Sequence, residues 1–470
     1  SSIITTDPME LFVTPELQQT NWARYIETAN KFNQPGKFTT LIAYEWTSIP
    51  NGRNMHRNVY WRGDAPAAPF SSFDSIYPQD LWTYMEFNRN VGLESLAIPH
   101  NANVSDGWMF SHNTFLGGPM DARHAMRQQA NEPVMEIIQT KGQSDTHPAF
   151  SPNDEFAEFE MFPNMINVAQ ASQIRYGYMR QGLAEGMILE EKLGTNPFKY
   201  GIVSGADSHS AYCNNEEWNF HGSHGVTDDT PAKRLAPGIQ PSGDRGVGVG
   251  TAGATAVWAE ENTREAIFDA MKRRETFGTS GPLMRLRFFG GWNFDDDLVE
   301  DDDFVETAYE DGVPMGGDLP AKPDRANAPT FAVWALKDPE SGNLDRIQII
   351  KVFVNKWNRP GEKIYDVALS DDRSVDPATG KAPPVGNTVD VATATYTNDI
   401  GDTQLAAVWT DPDFDPNQRA LYYVRVLEIP TPRWSTYDAA RSGLPLPPDT
   451  PTTLQERAWS SPIWYTPAGN

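Results

Sequence analysis

The residues with the clearest potential for chemistry lie where short apolar runs end in ionisable side chains. The run FKYGIVS leads into GADSHS, in which Asp207 and His209 are two residues apart. Residues two apart in a β-strand point to the same side, so this carboxylate and imidazole would project together. Glu45 ends the run TTLIAYE, His100 ends LAIPH, and His56 lies in the alternating segment NMHRNVYW. Because a buried carboxylate is costly unless it is paired or bound to a metal, the pattern favours a mixed His/carboxylate metal site.

The elements that must position these residues follow from the same pattern. Residues 1–282 alternate short apolar runs with helix-period segments, which is typical of βα units around a parallel sheet or barrel. Thr14 is the predicted N-cap of a helix that ends near Asn33, and further helices are predicted for PQDLWTYMEFNRN and residues 169–193. Loops beyond the carboxyl edges of such strands converge, so we expect the five ionisable residues to meet at one mouth.

The second part of the chain has a different character. Residues 214–255 are rich in Gly, Asn and Asp and have little periodicity, which predicts a lid-like loop. The segment ENTREAIFDAMKRRETF then predicts a helix with Asn262 as N-cap. Residues 283–470 contain short aromatic and β-branched runs separated by Pro, Gly and Asp turns, among them RLRFFGGW, TFAVWAL and ALYYVRVLEI. This pattern predicts an antiparallel β-sandwich, so the chain is divided into an α/β domain, 1–282, and a sandwich domain, 283–470.

Composition excludes several classes of function. Thirty-eight Lys and Arg against sixty-three Asp and Glu give a net charge of −25, which repels nucleic acid. No apolar window is long enough for a transmembrane segment. The single cysteine, Cys213, forms neither an intrachain disulfide nor a cysteine zinc site. The absence of GxSxG, GxGxxG and Walker A motifs argues against a serine hydrolase, a dinucleotide enzyme and an NTPase.

Four further residues are candidates for binding a substrate. Lys141 ends the run MEIIQTK, and Arg53 and Arg57 flank His56. A cation in an otherwise acidic protein suits a ligand oxyanion, although an arginine near a strand end also commonly pairs with a neighbouring acid. His147 lies in DTHPAFSPNDEF, whose turn-forming residues indicate either a loop over the site or an ordinary surface loop.

Taken together, AYEW, PHN, MEI and GADSH, with a histidine eleven residues after Glu45, resemble the PHP superfamily, named for polymerase and histidinol phosphatase. The resemblance covers residues 37–285, and segments such as KGQSDTHPAFSPNDEF resemble a branch of large, often exported bacterial proteins with an added β-domain. It implies a distorted (β/α)7 barrel that holds two or three divalent metal ions and hydrolyses phosphate esters. It also implies a periplasmic or secreted location, with a cytoplasmic one left open.

The family motifs assign roles to individual residues. By resemblance, Glu45 bridges two metals, His56 and His100 complete the second, and Asp207 binds the first. His209 either binds a third metal or acts with Asp207 in catalysis as the acid/base. Manganese, iron and zinc all accept such mixed shells, so the sequence does not choose among them.

The chain departs from the family at one motif. The strand ending in His-x-His that opens these proteins does not occur in these residues. We therefore expect an upstream segment that carries it, and a degenerate site is the alternative. Glu136, in MEI, matches a family position that shapes the site without binding metal.

The predicted function is hydrolysis of a small-molecule phosphate ester through a metal-activated water. Two alternatives are kept: a sulfate-ester hydrolase that uses the same site, and a non-catalytic binding or assembly protein with a degenerate metal site. Fourteen Trp and sixteen Tyr are compatible with a homo-oligomer, although aromatic side chains usually pack in cores.

Overall fold

The computed structural model describes residues 14–162, 164–166, 170–209, 215–236 and 246–468; Cys213 lies outside them. The chain is of mixed α/β type, as predicted. The described helices are α1 (Pro15–Phe32), α2 (Pro78–Asn90), α3 (Ala122–Asn131), α4 (Met179–Leu193), α5 (Pro231–Arg234), α6 (Arg264–Lys272), α7 (Phe304–Asp311) and α8 (Trp434–Ser442).

Capping residues set the helix boundaries. The Thr14 hydroxyl accepts the Leu17 N–H at 3.2 Å at the start of α1, and Asn33 follows the last residue of that helix, as predicted. At the start of α6 the prediction of Asn262 was wrong by one residue. Thr263 is the N-cap, because its hydroxyl reaches the Ala266 N–H at 3.2 Å.

The strands of the N-terminal part are short. They are β1 (Ile42–Trp46), β2 (Arg57–Trp61), β3 (Ser95–Pro99), β4 (Val134–Glu136), β5 (Ile138–Gln139), β6 (Gly142–Gln143), β7 (Gly201–Val203), β8 (Ala254–Val257) and β9 (Thr276–Thr279). Strands β1, β2 and β3 form an antiparallel sheet in that order, and β4 pairs with β7 in parallel. The connection from β1 to β2 is too short for a helical crossover, which makes that pair antiparallel. A closed (β/α)7 barrel is not shown by the described strands.

The C-terminal part is built from two packed sheets. Its strands are β10 (Arg285–Gly291), β11 (Gly312–Pro314), β12 (Thr330–Leu336), β13 (Leu344–Val354), β14 (Pro360–Leu369), β15 (Gln404–Thr410), β16 (Arg419–Glu428), β17 (Thr431–Pro432), β18 (Thr453–Leu454), β19 (Arg457–Ser460) and β20 (Ile463–Tyr465). One sheet has the order β11-β10-β12-β15, and the other has the order β14-β13-β16-β19-β9-β8 with β20 beside β16. This arrangement agrees with the predicted sandwich-type part.

Strand β16 explains how the larger sheet joins the two halves of the chain. Tyr422 and Val424 face the core between the two sheets, whereas Leu421 and Tyr423 face a second core that includes Met187 of α4. A strand buried on both faces reads as a continuous apolar run, as ALYYVRVL does. Strands β8 and β9, which precede the predicted boundary at residue 282, extend the same sheet through the pairing of β9 with β19.

The predicted lid-like loop is partly outside the described residues, which omit 237–245. Its described residues form a small core with helix α8, in which Phe220, Leu235 and Val249 surround Trp434. Within the described chain, none of the helices has the length and apolar character required to cross a membrane.

Candidate metal centre

Three of the predicted ligands meet at one edge of the N-terminal sheet. The register sets the last residue of β1 opposite the first residue of β2, which in turn lies opposite the last residue of β3. Because β2 runs antiparallel to both neighbours, the end of β1, the start of β2 and the end of β3 share this edge. Glu45, His56 and His100 therefore come together although 55 positions separate the first from the last.

One carboxylate oxygen links the two imidazoles. Glu45 Oε1 lies 2.7 Å from His56 Nδ1 and 3.2 Å from His100 Nε2. The two rings are nearly perpendicular, at 81°, with their centroids 5.5 Å apart. One ligand atom from each of the three residues lies within 4.8 Å of the other two. We call Glu45, His56 and His100 the trio.

Burial and hydrogen bonding act on the protonation of the trio in opposite directions. Burial opposes a charge on His100, but the hydrogen bond with Glu45 and the negative charges of Glu136 and Glu45 outweigh it and raise its pKa to about 9. Burial dominates at His56 and lowers its pKa. Burial would raise the pKa of Glu45, yet the hydrogen bonds from both imidazoles hold it well below its usual range. A proton on His100 thus balances the carboxylate, and a metal ion would have to displace it.

The remaining ring nitrogens test whether a metal fits. His56 Nε2 and His100 Nδ1 are buried and have no hydrogen-bond partner in the described part of the chain. Among the described residues, Glu45 is therefore the hydrogen-bond partner of both imidazoles, and no other hydrogen bond of these rings there competes with a cation. Two imidazoles and one carboxylate match the donor set of three-ligand catalytic metal sites, in which a fourth position takes water or substrate. The trio fits a divalent metal ion.

A second polar cluster adjoins the trio. Asp207 Oδ2 accepts from Lys141 Nζ, and it accepts from Gln139 Nε2 at 2.6 Å. Gln139 Nε2 also donates to Asn101 Oδ1 at 2.5 Å. Asn101 is the residue that directly follows His100 in the chain. Burial would raise the pKa of Asp207, but the Lys141 ammonium and His100 lower it. The cluster places one ammonium and one carboxylate beside the predicted ligands.

Strand alternation does not apply to Asp207 and His209, because β7 ends at Val203. Asp207 has a left-handed backbone with φ of +48°, a conformation that aspartate tolerates better than most residues. Its side chain reaches Lys141. His209 is exposed, and its ring stacks on that of His224 with centroids 4.7 Å apart.

Glu136 lies between the two clusters. Its carboxylate accepts the Asn101 N–H at 3.3 Å, and burial raises its pKa to about 8. It lines a cavity of about 440 Å³ together with His100 and Asp207. The cavity therefore receives groups from both the trio and the Lys141 cluster.

The other three predicted substrate ligands have different surroundings. Arg57 is buried on the opposite side of β2, where its Nε donates to Glu132 at 3.0 Å. Arg53 donates to Asp106 at 3.1 Å. The His147 ring packs against Tyr178, with ring centroids 5.4 Å apart. All three side chains therefore contact neighbouring protein groups.

Sequence reasoning missed Gln139 and Asn101. Gln139 directly follows an apolar run in IIQTK, and Asn101 follows His100 at the end of the run in IPHN, so both lie at the same kind of position as the predicted ligands. They were passed over because an amide has no charge, whereas its oxygen and nitrogen can orient charged neighbours.

The fold and the site together define a mixed α/β protein with a sandwich-type part and a His/Glu cluster suited to a metal ion. Residues 5–467 match the family described as "Protein of unknown function (DUF3604)", and the chain belongs to that family. Comparisons with curated proteins and with solved structures found no match.

Proposed function

We propose that the protein is a metal-dependent hydrolase of phosphate esters. The proposal rests on the trio, whose member His100 shares a cavity with Asp207, the carboxylate that pairs with the buried Lys141 ammonium. A cation site next to a fixed positive charge suits an ester that carries an oxyanion. The same features suit a sulfate ester, which remains the alternative substrate.

We also propose that the N-terminal part is a distorted barrel of PHP type. Strands β2, β3, β4, β7 and β8 each contribute side chains to one cavity, which supports an arrangement around a common interior. Strand ends that open on one side of such an interior are where barrel enzymes place their active sites.

In this proposal each residue has a defined task. Glu45, His56 and His100 hold a manganese, iron or zinc ion, which supplies Lewis acidity and lowers the pKa of water when bound. Lys141 binds an ester oxyanion, and Asp207 holds the lysine in place. His209, exposed two residues after Asp207, donates the proton to the leaving oxygen.

The number of ions depends on Asp207. The trio provides for one ion. The second or third ion implied by the PHP resemblance would need Asp207, whose Oδ2 already accepts from Lys141 and Gln139. We propose that the trio is occupied first.

Metal removal and reloading test this function. Purified protein is stripped with a chelator, reloaded with Mn²⁺, Fe²⁺ or Zn²⁺, and assayed with aryl phosphate and aryl sulfate esters. Reloading should restore hydrolysis in wild type and in His221→Ala, an exposed-histidine control, but not in His56→Ala. A metal-loaded wild type that is inert towards every ester would instead favour the non-catalytic binding protein.

A further inference from the structure

The 440 Å³ cavity beside the trio has a polar end and an apolar end. His100, Glu136 and Asp207 form the polar end. The rest of the wall comes from β2, β3, β7 and the residues after it, β8, α6 and the residue before β1, and it combines aliphatic with polar side chains. Its aliphatic members are Leu41, Ile98, Val203, Val257, Ile267 and Met271.

These aliphatic side chains belong to one of the hydrophobic cores. Ile98, Val203 and Met271 are buried in it, whereas Val257 and Ile267 are only partly buried and pack against it. Part of the apolar surface of this core therefore lines the cavity and is not covered by other side chains of the core. Covering such a surface with an apolar ligand is favourable, by about 25 cal/mol for each Å² removed from water.

The polar side chains of the wall are Asn58, Tyr60, Ser204 and Thr255, and among the described residues the buried Ser204 hydroxyl has no hydrogen-bond partner. Thr255 donates its hydroxyl to the Ser204 carbonyl and accepts the Ser204 N–H at 2.9 Å. No lysine or arginine is among the described lining residues. A hydroxyl group of a sugar or nucleotide that is buried against the six aliphatic side chains would have no partner there, at a cost of about 1–3 kcal/mol.

We propose that this cavity binds the apolar organic group of the substrate, so that the natural ester is an alkyl or simple aryl ester with its oxyanion towards His100 and Lys141. This rests on the proposed function. The volume lies within the range of small-molecule sites, roughly 300–1,000 Å³.

Binding of unreactive ligands tests the proposal without hydrolysis. Methyl- to octylphosphonate and the matching n-alcohols are titrated calorimetrically into metal-loaded wild type. Each added methylene should tighten Kd by about fourfold until the cavity is filled, since burying one methylene is worth about 0.8 kcal/mol. An affinity that stays flat from methyl to octyl would overturn the proposal.

A variant with a larger side chain in the cavity wall can be compared with the same substitution at an exposed valine. Val257→Phe should abolish the chain-length dependence, whereas Val391→Phe, at a valine with 41% exposure, should leave it unchanged. If Val257→Phe does not fold, Ile267→Ala decides instead, because it removes part of the wall and should weaken octylphosphonate binding but not methylphosphonate binding. Equal chain-length dependence in wild type and Val257→Phe would contradict the assignment.

The alcohols separate this inference from the proposed function. If the affinity for both the phosphonates and the alcohols depends on chain length but no ester is hydrolysed, the cavity assignment holds and the proposed hydrolase activity is refuted. Hydrolysis of short esters with no chain-length dependence would refute the cavity assignment alone.

Discussion

Replacing Glu45 by Gln keeps the shape of the side chain and removes the charge shared by both imidazoles. The Glu45 side chain is 29% exposed, so an effective dielectric constant of about 20 is appropriate. Two unit charges about 4 Å apart then attract by about 4 kcal/mol, and a divalent ion in contact with the carboxylate loses at least that much. We expect Kd for Zn²⁺ to weaken by about a thousandfold.

Competition between Zn²⁺ and a proton for His100 also changes the apparent Kd, and the assay must separate it from the loss of the Glu45 charge. The pKa of His100 is about 9, partly because of Glu45, so at neutral pH a metal must displace a proton in wild type but less often in the variant. Competition titrations with a chromogenic chelator above pH 9 remove this difference. The control is Glu340→Gln, an exposed carboxylate away from the trio. A Glu45→Gln variant that binds Zn²⁺ as tightly as wild type would refute the assignment.

Three other predictions follow from buried charges. Lys141→Met should leave Zn²⁺ affinity intact but raise KM for an aryl phosphate, because it removes the oxyanion partner and not a ligand; weakened Zn²⁺ binding would contradict this. The pKa of Glu428 is raised to about 8 by burial, so the folded state keeps a proton that the unfolded chain loses near its ordinary pKa, and stability falls as pH rises towards 8. Glu428→Gln should therefore give a melting temperature that falls less between pH 5 and pH 8, and curves parallel to wild type would exclude this. Asp154→Asn should destabilise the protein by about 3 kcal/mol in urea unfolding, because Arg180 and Arg425 both pair with Asp154 in the interior; an unchanged midpoint would contradict that role.

Local signals in the sequence located the elements well. The segment PQDLWTYMEFNRN coincides with α2, and Thr14 caps α1 as its hydroxyl chemistry indicates. In the sandwich-type part, the predicted runs RLRFFGGW, TFAVWAL and ALYYVRVLEI coincide with β10, β12 and β16. These signals depend on propensity and periodicity within one element, which the sequence displays directly.

The trio could be predicted because each member lies at or directly beside a strand end, whereas its geometry could not. Strand ends predicted that Glu45 and His100 share an edge, yet the antiparallel pairing of β2 is what brings His56 to them. The positions of Asp207 and His209 depend on the left-handed backbone of Asp207 itself, beyond the end of β7. A backbone conformation of this kind leaves no periodic pattern in the sequence. The helix predicted over residues 169–193, of which residue 169 lies outside the described residues, begins only at Met179. Before it, the Ser172 hydroxyl accepts the Asp106 N–H at 3.1 Å and the Gln173 N–H donates to the Asp106 carboxylate at 3.0 Å, contacts that periodicity does not predict.

The central claim is that a metal ion binds between Glu45, His56 and His100, and anomalous diffraction tests it most directly. Crystals grown with Zn²⁺ or Mn²⁺ are measured on both sides of the absorption edge of the metal. We expect an anomalous peak in contact with Glu45 and both imidazoles, and we expect it to disappear in Glu45→Gln crystals. Metal-saturated wild-type crystals with no peak among these three residues would contradict it.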